Sequence, residues 1–210
     1  MSVRTLVVLA HPHLAASRIN AALAATAAGT EGVTVHDLYA AWPDGRIDVA
    51  AEQQRLLAYD RVVLQFPFYW YSAPPLLKQW LDEVLTYGFA YGTGGTALHG
   101  RTLRVATSTG GGRDAYRPGG TNRFPVADLL LPFDATAHLT GMRYQEPFVV
   151  YGVLDMTDEQ LAAEQARYRA LLLAPAADGE GPGGVAGAAA QDVVSEEGAP
   201  VAAGPAAAVV

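Results

Sequence analysis

The first 173 residues alternate between short runs of apolar, often β-branched residues and segments with helical spacing. This alternation is typical of βαβ units, in which a crossover helix joins each strand to the next parallel strand. The runs LVVLA, VVL and FVVYGV are apolar almost without interruption, as expected for strands that helices cover on both faces. The pattern therefore predicts an α/β domain built on a parallel sheet.

We predict five strands, at residues 4–10, 33–38, 61–66, 102–107 and 148–153. Five strands with this alternation suit a three-layer, doubly wound parallel sheet in the flavodoxin-like order 2-1-3-4-5. In that architecture ligands bind beyond the carboxyl ends of the strands, where the order reverses between the first strand and the third. The loops after strands one, three and four are therefore the places where a site is expected.

Three helices have clear sequence signals. Residues 17–28 are rich in Ala and open with Ser17, a favourable N-cap. A second helix opens at the proline pair of residues 74 and 75, and Gly88 is expected to stop it. In the last helix, Thr157 and Gln160 match a capping box.

The last 37 residues, 174–210, differ sharply in composition. They hold five of the chain's 21 acidic residues but no Lys, Arg or aromatic residue, and 24 of them are Ala, Gly or Pro. Such a segment lacks the side chains needed to build a core. We therefore predict a domain at residues 1–173 followed by a disordered acidic tail at 174–210.

Charge and cysteine content exclude several classes of protein. Without the five acidic tail residues, 14 basic and 16 acidic residues leave residues 1–173 with a net charge of −2. A nearly neutral domain without a basic stripe argues against a nucleic-acid partner. Because the chain has no Cys, disulfide frameworks, thiolate metal sites and cysteine nucleophiles are excluded. The first ten residues are better read as a strand than as a targeting or membrane segment, and we expect a cytoplasmic protein.

The loop after strand one contains a candidate anion site. If Ser17 caps a helix, the free N–H groups and the positive dipole end of that helix favour a phosphate. The alternative is that Ser17 only caps. His11 and His13 could indicate a metal, but no third ligand lies nearby, and we predict none. Since neither a G-x-G-x-x-G nor a Walker pattern is present, a Rossmann dinucleotide and a P-loop triphosphate are not predicted.

The loops after strands three and four supply aromatic rings and free backbone. Residues 68–71 are four consecutive aromatics, which offer a wall for a flat ring or, alternatively, a protein interface. Residues 108–112 combine two hydroxyls with three glycines, so that a heterocycle could approach the backbone closely. The alternative for the glycines is a flexible turn. The three features lie on successive loops of one sheet edge, which favours a common ligand.

Four stretches extend this pattern across most of residues 4–173: AHPH followed by SRIN, PFYWYSAPPLLKQWLDEV, AYGTGGTALHG, and TSTGGG. In these stretches the chain resembles the flavodoxin-like-fold NAD(P)H oxidoreductases. That family includes quinone reductases and the ancillary flavoproteins of glutathione-regulated potassium-efflux systems. The long second stretch is the specific one, whereas the short glycine motifs are common.

The resemblance implies a role for each of the three loops. The first would hold the flavin phosphate through His11, Ser17, Arg18, Ile19 and Asn20. The second would line the isoalloxazine through Pro67, Phe68, Tyr69 and Trp70. The third would meet the pyrimidine edge of the ring through Ser108, Thr109, Gly110 and Gly111.

One tyrosine is implied as a catalytic residue. Tyr116 matches a tyrosine that, in the quinone reductases, helps to accommodate charge on the reduced ring. A histidine often follows that tyrosine six residues later, but this sequence has Asn122 there. The substitution argues against a histidine-assisted proton relay.

These expectations combine into one predicted reaction. A nicotinamide donor, NAD(P)H, passes hydride to a bound flavin, and a quinone or similar acceptor then takes two electrons. FMN is favoured over FAD because no second nucleotide fingerprint is present, although FAD remains open. A rival role is that of a regulatory subunit docking on a membrane potassium-efflux protein, and a one-electron carrier is less favoured. We also expect a homodimer, with residues 89–95 as a wall of the shared acceptor pocket.

Overall fold

The computed structural model describes residues 3–175. Its five strands form one parallel sheet in the order 2-1-3-4-5, which confirms the predicted fold class. The strands are β1 (Thr5–Leu9), β2 (Val33–Asp37), β3 (Arg61–Pro67), β4 (Thr102–Ser108) and β5 (Arg143–Val150). Nearly all of the predicted tail lies outside the described residues, so the boundary at residue 173 stays a prediction.

Helices cover both faces of the sheet and complete the three layers. They are α1 (Arg18–Ala28), α2 (Leu38–Ala41), α3 (Val49–Leu57), α4 (Pro75–Val84), α5 (Val126–Leu129), α6 (Leu131–Leu139) and α7 (Asp158–Leu173). Helices α1 and α7 bury one core against the sheet, and α2 to α6 bury the other. No helix within residues 3–175 is long and apolar enough to cross a membrane.

The predicted caps of α1 and α7 are present. The backbone N–H of Asn20 donates to Ser17 Oγ over 3.2 Å. At the start of α7, Gln160 N–H donates to Thr157 Oγ1 over 3.2 Å, and Thr157 N–H donates to Gln160 Oε1 over 2.8 Å. Local sequence therefore fixes where both helices begin.

Helix α4 ends at Val84, four residues before the glycine predicted to stop it. The Gln53 side chain on α3 donates to the carbonyl of Val84 over 2.9 Å and to Thr86 Oγ1 over 3.0 Å. This partner satisfies a carbonyl that the helix would otherwise leave free at its end. Gly88 instead occupies a later turn with a positive φ of 79°.

The predicted range of the fifth strand was wrong, because β5 begins at Arg143, five residues early, and ends at Val150. Pro147 lies inside β5, although proline cannot donate to a sheet ladder. However, β5 is an edge strand, and its pairing with β4 shifts register between Arg104 and Ala106. Edge strands and bulges are the two places where a sheet accepts proline.

A buried carboxylate links β2, α3 and α4. Glu52 is fully buried, and its oxygens accept from Trp80 Nε1 over 2.8 Å and from Trp42 Nε1 over 3.3 Å. His36 Nε2 lies 2.8 Å and Arg55 Nε 3.5 Å from the same carboxylate. Burial alone would raise the pKa of Glu52, but the hydrogen bonds from His36 and Trp80 and the charges of His36 and Arg55 hold it below its ordinary value.

At the amino edge of the sheet, an arginine caps the C-terminal end of α7. Arg61, the first residue of β3, is buried and donates to the carbonyls of Leu172 over 3.0 Å and Ala174 over 2.7 Å. These carbonyls lie at the end of α7, where no helical N–H remains to satisfy them. The carboxyl end of α7 is therefore bonded to the sheet.

Candidate functional site

The three predicted loops meet at the carboxyl edge of the sheet. Ala10 N–H, just after β1, donates to the carbonyl of Gln65 on β3 over 2.9 Å. Phe68 N–H, just after β3, donates to the carbonyl of Ser108 at the end of β4 over 3.0 Å. The strand order reverses between β1 and β3, so a crevice opens at this switch point.

The first turn of α1 faces the crevice mainly through its backbone, because two of its side chains are directed elsewhere. Arg18 donates to the carbonyl of Met156 over 2.7 Å and pairs with Asp158, so its guanidinium is directed toward α7. Ile19 is buried in the core between α1 and α7. Of the residues predicted to hold a phosphate, these two can therefore offer only their backbone N–H groups.

Asn20 connects this turn to the end of β4. Its side chain is buried, and its Nδ2 donates to Ser108 Oγ over 3.0 Å. Its Oδ1 is also buried but has no hydrogen-bond partner among the described residues. A buried polar atom without a partner is costly, and such atoms are found where a ligand or water completes the site.

His11 is a neutral donor at this edge. Its Nδ1 accepts from His13 N–H over 3.1 Å, which leaves the ring proton on Nε2. Burial, together with the nearby His13, lowers the pKa of His11, although Asp37 acts in the opposite direction. Within residues 3–175 no three metal-ligand side chains group together. The Nε2–H of His11 is thus suited to donate to an anion.

The loop after β3 makes a tight turn of unusual handedness. Tyr69 and Ser72 exchange backbone hydrogen bonds of 3.0 and 2.9 Å, and the two residues between them, Trp70 and Tyr71, have φ values of 47° and 63°. Left-handed conformation costs a non-glycine residue about 1 kcal/mol or more. The turn leaves the Trp70 side chain 93% exposed. A strained turn that presents a bare indole at a crevice is typical of a ligand contact.

The aromatic run does not form one continuous wall. Pro67 is buried as the last residue of β3, and Phe68 packs on the core with its ring 6.2 Å from that of Tyr116. Tyr69 lies beside the His11 ring at 6.4 Å, and only Trp70 projects fully into solvent. The members of the run therefore contact different parts of the crevice.

The loop after β4 is held by its own backbone and presents free N–H groups. Thr109 is buried, its N–H donates to the carbonyl of Val150 over 2.9 Å, and its Oγ1 donates to the carbonyl of Gly111 over 2.9 Å. The N–H groups of Gly110 and Gly111 have no acceptor among residues 3–175. A Cβ at Gly111 would lie 3.2 Å from the Asn122 amide, so a larger residue there would press on the Asn122 side chain.

Residues 110–124, which we call the rim segment, fold back over the crevice. Tyr116 lies between Phe68 and Tyr151, at ring distances of 6.2 and 6.0 Å, and burial raises the pKa of its phenol. Asn122 Oδ1 accepts from the Tyr71 hydroxyl over 3.2 Å and so joins the rim segment to the left-handed turn. A carboxamide does not titrate, so Asn122 contributes structure and no proton relay.

Two residues behind the crevice were not predicted. Gln65 Nε2 donates to the carbonyl of Asn20 over 3.0 Å, and the buried Tyr168 hydroxyl on α7 donates to Gln65 Oε1 over 3.1 Å. This chain of hydrogen bonds fixes the first turn of α1 against the sheet. The signal was available, because a glutamine within the apolar run RVVLQFP of a buried strand requires a specific partner.

The segment predicted to form a shared wall, residues 89–95, packs on its own domain. Ala90 is fully buried, and Phe89 and Tyr91 contact the core next to α4. Gly92 has a φ of 75°, and a Cβ there would lie 2.2 Å from the Tyr87 ring. The glycines of this segment thus permit a tight fold over α4, and the homodimer stays a prediction.

An open, doubly wound sheet with hydrogen-bond donors and an exposed indole at its switch point is the class of α/β domain that places ligands beyond the carboxyl ends of its strands. The free donors described above suit a phosphate and a ring with carbonyl groups. A sequence model of the family described as flavodoxin-like fold matches residues 3–172. The chain belongs to this family.

Curated relatives cover most of the chain. It is 47% identical over 165 residues to the uncharacterized NAD(P)H oxidoreductase YdeQ of Bacillus subtilis. The aligned region covers 79% of this chain and 84% of the relative. It is 44% identical over 172 residues to the glutathione-regulated potassium-efflux system ancillary protein KefG of Pectobacterium carotovorum, covering 82% of this chain and 94% of the relative.

Solved structures with the same fold have several names. General stress protein 14 of Treponema denticola, solved in complex with FMN, is 42% identical with a TM-score of 0.77, covering 80% of this chain and 97% of that one. An NADPH-quinone reductase from P. pentosaceus is 35% identical with a TM-score of 0.75, covering 83% and 99%. A thermophilic tryptophan halogenase from Streptomycin violaceusniger is 45% identical with a TM-score of 0.79, covering 81% and 99%. Because these names differ, the reaction has to be argued from the site.

Proposed function

We propose that this protein is an FMN-dependent NAD(P)H oxidoreductase that transfers two electrons to a quinone or a related small acceptor. The observation that carries the proposal is the meeting, at the switch point, of two donor-rich loops, after β1 and β4, with the strained Trp70 turn that follows β3. The relatives named for NAD(P)H oxidation and the neighbour solved with FMN support the same assignment. Structural neighbours named as quinone reductases support the choice of acceptor.

The cofactor would be held at two ends. Its phosphate would lie at the amino end of α1, where the first N–H groups, the Ser17 hydroxyl and the neutral His11 ring are all donors. A ribityl hydroxyl of FMN would supply the donor that Asn20 Oδ1 lacks. The N–H groups of Gly110 and Gly111 would donate to the carbonyls of the ring.

When bound, FMN would supply the acceptance and return of a hydride equivalent. The residues of the crevice would orient the ring and exclude water from one of its faces. Because burial raises the pKa of Tyr116, its phenol stays protonated at neutral pH and can donate a hydrogen bond toward the negative charge that a reduced ring carries. Asn122 would hold the Tyr71 side of the same crevice in place.

A regulatory role in potassium efflux is the second candidate. The identity of 44% to KefG extends over 94% of that protein, so the whole fold and not only the crevice is shared. Large apolar side chains are exposed on and beside the rim segment, namely Phe124 at 47% and Leu154, next to Gly110, at 82%, and a protein partner could cover them. Co-purification with a membrane transporter is the measurement that favours this role, whereas full turnover without any partner favours the enzyme.

The test of the proposed function is direct. The purified protein should be yellow, release FMN on denaturation, and oxidise NADH or NADPH with a simple benzoquinone as acceptor. A colourless protein that takes up neither FMN nor FAD in titration would refute the assignment. Sedimentation at micromolar concentration tests the predicted homodimer, and fractionation of cells tests the predicted cytoplasmic location.

Trp70→Ala is expected to weaken FMN binding by about 1–3 kcal/mol, because an indole that stacks on the ring would be lost. Since this side chain is 93% exposed, the free energy of unfolding of the apoprotein should change little. Fluorescence titration with FMN and urea unfolding measure the two quantities. The matched variant Trp70→Phe keeps a ring and should retain most of the affinity. Equal FMN affinity in wild type and Trp70→Ala would show that the indole serves a protein interface instead.

A further inference from the structure

The rim segment carries positive charge in an otherwise acidic domain. It contains Arg113, Arg117 and Arg123 within eleven residues and a single acidic residue, Asp114. The segment therefore has a net charge of +2, whereas residues 1–173 together have −2. Arg117 Nε lies 3.8 Å from the carboxylate of Asp114, so one of the three charges is partly balanced. The charges of Arg113 and Arg123 are not balanced in this way.

Arg113 is held against the aromatic side of the crevice. Its guanidinium carbon lies 4.5 Å from the centre of the Tyr151 ring, and that ring is 6.0 Å from the ring of Tyr116. No carboxylate lies within 4 Å of Arg113 among residues 3–175, and its side chain is exposed. A guanidinium stacked on a ring keeps its N–H donors free for a second partner.

Arg123 lies at the opposite end of the rim segment, again without a carboxylate partner among the described residues. Its φ of 66° is left-handed, and its guanidinium lies over the Phe124 ring at 5.3 Å. The residue before it, Asn122, accepts from Tyr71 and so fixes this part of the rim to the crevice. An exposed guanidinium that lies over a ring and has no carboxylate partner keeps its N–H donors free for a ligand.

The backbone between the two arginines is held by internal contacts. Asn122 N–H donates to the carbonyl of Ala115 over 2.8 Å. A Cβ on Gly120 would lie 2.5 Å from the carbonyl oxygens of both Ala115 and Asp114, so only glycine allows this close approach. The two guanidinium groups are therefore presented by a pre-formed loop, which lowers the entropy cost of binding.

We propose that Arg113 and Arg123 bind the phosphates of the adenosine half of the nicotinamide donor. The inference rests on the proposed function, because a donor whose nicotinamide reaches the crevice extends its remaining length over the surrounding rim. Guanidinium groups match phosphate oxygens in pairs, whereas a neutral quinone gains little from them. The rim thus selects a dinucleotide donor over a bare dihydronicotinamide.

The test compares donors on the FMN-loaded protein. The variants Arg113→Gln and Arg123→Gln keep the length of the side chain and remove its charge. Each should lower kcat/KM for NADPH about tenfold, the loss expected for one charge-assisted hydrogen bond. With 1-benzyl-1,4-dihydronicotinamide, which has no phosphate, kcat/KM should stay at the wild-type value. Calorimetric titration with 2′,5′-ADP gives a readout that does not depend on turnover, and its affinity should fall by a similar factor.

The comparison of NADPH with NADH shows which phosphate of the donor the two arginines bind. If only NADPH is affected, the arginines bind the 2′-phosphate, and if both donors are affected they bind the pyrophosphate; either result supports the proposal. Arg143→Gln is the matched charge control, because Arg143 is exposed at the start of β5, at the amino edge of the sheet and away from the crevice. This variant should leave kcat/KM for NADPH and for NADH unchanged. Unchanged kcat/KM for both dinucleotides, or an equal loss with the benzyl donor, overturns the proposal. A wild-type protein that no donor reduces would instead refute the proposed function.

Discussion

Ser17→Asp is expected to lower the affinity for FMN about a hundredfold, or about 3 kcal/mol, while the fold stays intact. Aspartate is as good an N-cap as serine, so it can replace the acceptor that Ser17 Oγ provides for Asn20 N–H. A carboxylate is also favourable at the positive end of a helix. In the cofactor complex, however, it would face the phosphate at short range, and two negative charges in a partly buried crevice repel strongly.

The controls for this prediction separate charge from structure. Ser17→Asn caps without a charge and should retain FMN affinity within a few fold. Riboflavin lacks the phosphate, so its affinity should be the same in wild type and Ser17→Asp. Fluorescence titration measures each affinity, and urea unfolding of the apoproteins checks that stability is preserved. If Ser17→Asp binds FMN as wild type does, the phosphate is not held at α1.

Glu52→Ala is expected to destabilise the domain by about 3–5 kcal/mol, a large part of the 5–15 kcal/mol typical of a domain. The change leaves two indole N–H groups, the buried His36 ring and the Arg55 guanidinium without their common acceptor. Urea unfolding followed by circular dichroism measures the loss. Glu31→Ala, in an exposed loop, is the control and should stay within about 0.5 kcal/mol of wild type. A small effect of Glu52→Ala would mean that water replaces the carboxylate.

The same carboxylate gives stability a defined pH dependence. Because the pKa of Glu52 is lower in the folded state than in the unfolded chain, its contribution is fully present above the ordinary glutamate value of 4.5. The contribution is lost as pH falls through the folded pKa. Glu52→Gln cannot ionise, so its free energy of unfolding should decline less than that of wild type between about pH 5 and pH 3. Parallel declines would assign the acid sensitivity to other carboxylates.

The fold was predictable wherever its cause is local or periodic. Ser17 and Thr157 start their helices through side chains that bond three residues ahead, so a short window of sequence contains the whole interaction. The strand order follows from alternation alone, because few topologies satisfy it. The predicted range of β5 was wrong for a reason that is not visible in the local sequence. Pro147 is acceptable only because β5 lies at the edge of the sheet.

The details of the crevice depend on contacts between distant residues, and these could not be read from the sequence. Tyr71 is left-handed although its local sequence favours no such turn, and its hydroxyl is bonded to Asn122, 51 residues away. Glu52 is 28 residues from Trp80 and 16 from His36 in the chain. Loops with such partners take a conformation that the assembled domain selects, so the sequence named the loops but not their geometry.

The bond from Arg61 to the carbonyl of Ala174 has a practical consequence for anyone who wishes to attach this protein to a surface. It fixes Ala174 at the amino edge of the sheet, and the crevice lies at the carboxyl edge. A strand of seven residues such as β3 separates the two edges by about 20 Å. A bead or an electrode coupled at residue 174 would therefore lie on the side of the sheet opposite to the crevice and leave the crevice open to donor and acceptor alike.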